Sequence, residues 1–112
     1  MPADSEDVKG KLETLRQAFV NQLPDRIREL EKAWAKLDSE AWNFADFSEF
    51  HRGIHALAGS GAMFGCDVLS QRAKLLDNLL KALASDGEPP SKGTKRLIRD
   101  GLRSMKEAAA AP

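Results

Sequence analysis

Residues 55–65 read His-Ala-Leu-Ala-Gly-Ser-Gly-Ala-Met-Phe-Gly, a histidine followed by glycines at 59, 61 and 65. A glycine inside a helix costs about 1 kcal/mol relative to alanine. Two readings of the stretch lead to different molecules. Either the helix carrying His55 ends near Gly59 and GSGAMFG is a loop, or the helix continues and Gly65 ends it, since glycine adopts the left-handed conformation cheaply. In the second reading the glycines do different work. Gly59 lies four residues after His55 on the same face and leaves open space beside it. Gly61 falls on the apolar stripe, where it lets another helix approach. Gly65 terminates.

Upstream, Phe47, Phe50, Ile54, Leu57 and Gly61 form one stripe of a helix that begins near Ala45. His55 sits roughly 120° from the centre of that stripe, so its side chain is expected on the exposed face, with His51 closer to the core. Further back, Leu12, Leu15, Phe19 and Leu23 follow helical steps after Ser5 or Asp7 as N-caps, and the acidic DSED start suits a helix N-terminus. Ile27, Leu30, Trp34 and Leu37 continue the stripe beyond Pro24. That proline either kinks one long helix or opens a second. Downstream, Val68, Leu69, Leu75, Leu76, Leu79, Leu80 and Leu83 mark a helix over about 67–84, SDGEPPSKG is a loop, and Leu97, Ile98, Leu102 and Met105 mark a last helix. The terminal EAAAAP is expected to fray.

Strand patterns are absent and the connections are short, which predicts an all-α fold: an antiparallel up-and-down four-helix bundle with a kinked or broken N-terminal helix. One domain over 1–112 is expected, ordered over about 5–107 with frayed tails. The chain has 112 residues, 42% of them apolar and 30% charged, enough for a modest core. Its 17 basic and 17 acidic residues cancel. That balance argues against general nucleic-acid binding, which needs a basic surface. The basic run KGTKRLIRDGLR reads as a solvated helix face. A single cysteine, Cys66, rules out an intramolecular disulfide and reads as a small buried residue. No apolar run approaches a membrane span, and a monomeric, cytoplasmic protein is expected.

The stretch resembles the histidine phosphotransfer (HPt) family of two-component phosphorelays. The family pattern is H-x-L-K-G-S, then small residues, an apolar residue and Gly. This chain reads His55-Ala56-Leu57-Ala58-Gly59-Ser60 and then Gly61-Ala62-Met63-Phe64-Gly65. The resemblance implies that His55 carries the phosphoryl group and that Gly59 opens the docking surface. Family members often place Gln or Glu 22 residues after the histidine, within reach of the imidazole. Here that residue is Asp77, which is shorter and makes direct contact a weaker expectation. Ala58 replaces the usual motif lysine, and Arg52 is either a substitute cation or a solvated surface arginine.

By the same resemblance, the partner is a receiver (response regulator) domain or a hybrid sensor histidine kinase. The receiver supplies Mg²⁺, and this chain has no cofactor of its own. The protein would be a carrier rather than an enzyme; GSGAMFG lacks the Lys-Ser/Thr of a nucleotide-binding P-loop. Ser48, Arg52, Ala58, Ala62 and Met63 are the candidate docking residues around His55, with Met63 equally suited to the core. Three rivals stand beside this reading. One is an HPt-shaped docking module that transfers nothing, left open by the missing lysine. Another is metal binding by His51 and His55, which two ligands alone make weak. The last is a purely structural bundle anchored through Trp34 and Trp42, residues more often found in cores.

Overall fold

The computed structural model describes residues 2–39 and 41–112, with side chains from residue 7 onward. These residues form α1 (Pro2–Ser39), α2 (Phe44–Met63), α3 (Asp67–Asp86) and α4 (Lys92–Ala110). Each helix packs on its neighbours in the order α1–α2–α3–α4 and back to α1. Cross-helix partners run in opposite senses along every pair. Lys36 meets Asp46 and Arg16 meets Phe64 between α1 and α2, while Asp38 meets Lys95 and Glu31 meets Lys106 between α1 and α4. The result is the expected antiparallel up-and-down bundle. None of the helices described is long and apolar enough to cross a membrane.

The core takes one stripe from each helix: Phe19 to Leu37 of α1, Phe47 to Gly61 of α2, Leu69 to Leu80 of α3 and Ile98 to Ala108 of α4. Aromatic rings fill its lower end, where Trp34 packs on Phe50 (5.8 Å) and edge-on to Trp42 (6.5 Å). Cys66 is buried, as its type suggests.

Helix α1 runs as one helix through Pro24, the first of the two alternatives, where the proline has no N–H to donate to the preceding turn. It also starts at Pro2, upstream of both Ser5 and Asp7. Helix α4 continues to Ala110 because Ala108 is buried and Ala109 packs against the core.

Leu12 and Leu15 continue the α1 stripe but are 56% and 54% exposed. The reason is length. At 1.5 Å per residue the 38-residue α1 spans roughly 57 Å, against about 30 Å for the 20-residue α2. Arg16 reaches the carbonyl of Phe64 at the far end of α2, and Phe19 stacks on Phe64 (5.1 Å). Residues before this layer lie past the core, where Leu12 borders just the end of α2 at Met63 and Phe64. Leu15→Ser is expected to change the unfolding free energy by no more than about 0.5 kcal/mol. Leu23→Ala, at a fully buried site, is expected to cost about 3 kcal/mol. Urea melts of the two variants measure the difference.

Candidate functional site

Helix α2 opens on Asn43, whose side chain accepts hydrogen bonds from the backbone of Ala45 (2.8 Å) and Asp46 (3.2 Å). It does not stop at Gly59. It runs to Met63 and closes with Phe64 N–H donating to Ser60 and Gly65 at φ 74°. Just before this stop, α2 and α3 approach closely at Gly61. A Cβ on Gly61 would lie 3.3 Å from both Cβ and the backbone nitrogen of Ser70. The buried Ser70 hydroxyl donates to the Ala58 carbonyl (2.7 Å). This close approach sets the register of α3 against α2.

That register brings Asp77 beneath two histidines. Nε2 of His51 lies 2.7 Å from Oδ1 of Asp77, and Nδ1 of His55 lies 3.0 Å from Oδ2. Lys81, one turn along α3, stands 3.4 Å from Oδ2. The Asp77 side chain is 6% exposed, that of His51 19% and that of His55 66%. The short aspartate side chain does reach the imidazole, and it serves two rings rather than one.

Burial pushes the Asp77 carboxyl up. The hydrogen bonds donated by His55 and His51, together with the charge of Lys81, outweigh that and hold it below the usual carboxylate range. An ionised carboxylate only accepts hydrogen bonds. Nδ1 of His55 therefore carries the proton in the neutral ring, and Nε2 keeps its lone pair on the exposed part of the imidazole. Beside it, Gly59 has nothing within 4 Å of a would-be Cβ. His55, Ala58 and Gly59 form the α2 wall of a shallow recess. Lys74, Asp77, Asn78 and Lys81 form the α3 wall.

The remaining candidates separate. Ala58 is buried at 4% exposure and only walls the recess, so it is corrected from a docking contact to a packing residue. It is rotated about 60° from His55 toward the core, whereas Arg52 is rotated about 60° the other way, away from α3. Arg52 and Ser48 are exposed on α2 but do not line the recess. Ala62 is exposed, and Met63, 78% exposed, belongs to the surface; it lies in a separate groove with Leu12 and Arg16. Sequence reasoning missed Lys74 and Lys81, although both share a helical face with Asp77. It also weighed His51 only as a metal ligand. Among the described residues, no three His, Cys, Asp or Glu side chains are grouped as a metal site.

The family model for the Hpt domain matches residues 14–111, nearly the whole bundle. The chain belongs to the Hpt domain family. This Hpt domain is also 30% identical over 64 residues to the chemotaxis protein CheA of Klebsiella aerogenes. The match covers 57% of this chain and 10% of that relative, so the chain corresponds to a small part of it. No solved structure gives a significant match. Hpt domains are phosphocarrier modules of two-component signalling.

Proposed function

We propose that this Hpt domain carries a phosphoryl group on Nε2 of His55, taking it from, and passing it to, the aspartate of a receiver domain. The observation that supports this most directly is the hydrogen bond from Nδ1 of His55 to Asp77, which leaves Nε2 unprotonated on an exposed ring. In the transfer step the Nε2 lone pair attacks phosphorus in line. The P–O bond to the partner's aspartate breaks and its carboxylate leaves. The proton stays on Nδ1, and the positive charge that develops on the ring lies beside the ionised Asp77. Phosphoryl transfer asks a protein mainly for positioning and charge stabilisation.

A rigid α2 provides the positioning. Lys74 and Lys81 line the recess and supply positive charge where Ala58 has replaced the motif lysine. Mg²⁺ would belong to the receiver's side of the complex, where it would supply further positive charge for the phosphoryl oxygens. The open space at Gly59 gives the partner its approach.

The test is transfer of labelled phosphate from phosphorylated receiver domains, including the receiver of a hybrid kinase. The label is expected on the peptide that contains His55, lost in acid and stable in base, as a phosphorus–nitrogen bond is. The presence of Ala58 favours one second reading, a docking module that binds receivers and transfers nothing. Receivers that bind this chain tightly and leave it unlabelled would establish that reading instead.

A further inference from the structure

The two oxygens of Asp77 have different partners. Oδ2 receives Nδ1–H of His55 and also faces the ammonium of Lys81, at 3.0 Å and 3.4 Å. Oδ1 receives only Nε2–H of His51, at 2.7 Å, the shortest of the three contacts. Lys81 is a competitor: its side chain is 57% exposed and one turn from Asp77 on the same helix. The terminal torsion of an aspartate is broad and holds no orientation by itself. A carboxylate anchored only on α3 has every reason to turn toward Lys81 and away from α2.

His51 is placed to prevent that. It projects from α2, one turn before His55, and its side chain is 81% buried, with its ring packed against Phe47 (centroids 6.0 Å). Its position is held by packing, so it acts as a fixed donor. We infer that His51 is a positioning residue for the phosphoryl acceptor: by gripping Oδ1 it sets the plane of the Asp77 carboxylate, so that Oδ2 meets Nδ1 of His55 and the lone pair stays on Nε2. The inference rests on the reading of His55 as the acceptor. His51 touches no reacting atom; it acts through Asp77. A largely buried histidine kept only for packing is satisfied by any acceptor, and this one shares its acceptor with His55.

The experiment uses the whole chain labelled with ¹⁵N, as wild type, His51→Gln and His51→Phe. Gln keeps an N–H donor at comparable reach; Phe keeps the ring and its packing on Phe47 but has no donor. Long-range ¹H–¹⁵N correlations read the His55 tautomer, and thermal melts show that each variant is folded. Labelling by phosphoramidate, which gives up its phosphoryl group to imidazole with release of ammonia, reads Nε2 reactivity without a partner. Wild type and His51→Gln are expected to hold the Nδ1–H tautomer and label alike. His51→Phe is expected to shift toward Nε2–H and label about tenfold more slowly.

A His55 tautomer and labelling rate unchanged in His51→Phe would overturn the inference. So would Gln and Phe variants that are impaired equally. If the tautomer responds as expected while wild-type His55 accepts no phosphoryl group from phosphoramidate or any receiver, the positioning role stands and the carrier reading fails.

Discussion

His55→Gln is expected to take no label from a phosphorylated receiver, and Asp77→Ala to take it about 100-fold more slowly than wild type, while both variants still bind the receiver. The first loses the nucleophile. The second keeps it but removes the only acceptor that the structure gives to Nδ1–H of His55. Released from Asp77, the ring is free to protonate Nε2, and the tautomer that results has no lone pair where transfer needs one. It also loses the negative charge that balances the imidazolium as the phosphorus–nitrogen bond forms. Binding survives because Asp77 is 4% exposed and offers a partner almost no surface. Transfer rates at saturating receiver, set beside direct binding measurements, separate the two effects.

The same substitution has a stability signature with a definite sign. The Asp77 carboxyl is held below its ordinary range in the folded chain, so the folded state binds its proton less readily than the unfolded state does. Its stabilisation is complete above the unfolded carboxylate pKa of about 4 and is lost as pH falls through the lower folded value. Wild type is expected to exceed Asp77→Ala by about 2 kcal/mol near neutrality, a margin that narrows steadily below about pH 4. Urea titrations at several pH values test this.

Substitutions at Gly59 and Gly61 are expected to fail in opposite ways. Gly59→Leu places a side chain in open space on the exposed face of α2. Replacing glycine within a helix favours folding by up to about 1 kcal/mol, so the variant is expected to be at least as stable as wild type. The new side chain stands one turn from His55 in the partner's path. Transfer from a receiver is expected to drop at least about 100-fold, with phosphoramidate labelling little changed, since a small donor needs far less room.

Gly61→Val meets the backbone of α3 instead. The 3.3 Å and 3.4 Å contacts a Cβ would make to the Ser70 nitrogen and the Cys66 carbonyl are to main-chain atoms that cannot rotate aside. Helix α3 must move away, and about 3 kcal/mol of stability is expected to go with it. Melts and transfer rates on the pair therefore separate access from packing, the two uses assigned to glycines two residues apart.

How far such distinctions were legible depends on the range of the interaction. Spacing along one helix follows from 3.6 residues per turn alone. The four helices, the stripe from Phe47 to Leu57 and the exposure of His55 could all be read from local sequence, whereas a stop at Gly59 and a stop at Gly65 fitted it equally. With the stop at Gly65, the inward glycine at 61 could be read too, because a residue on an apolar stripe with no side chain invites a neighbour. Asp77 entered only through resemblance to a family, since nothing in its own helix singles it out.

The tertiary structure decided matters that periodicity cannot carry. A stripe marks which face of a helix is buried but not which residue of another helix meets it, nor how long that partner is. Leu12 and Leu15 fit the α1 stripe and are exposed because α1 outruns α2. The register of α3 on α2 is set where Gly61 lets Ser70 and Cys66 approach, contacts between residues on different elements. Only that register brings one carboxylate under His51 and His55 together and sets Lys81 beside it. The sequence by itself determined a bundle with an exposed histidine; packing between helices decided which nitrogen of that histidine is left with a lone pair.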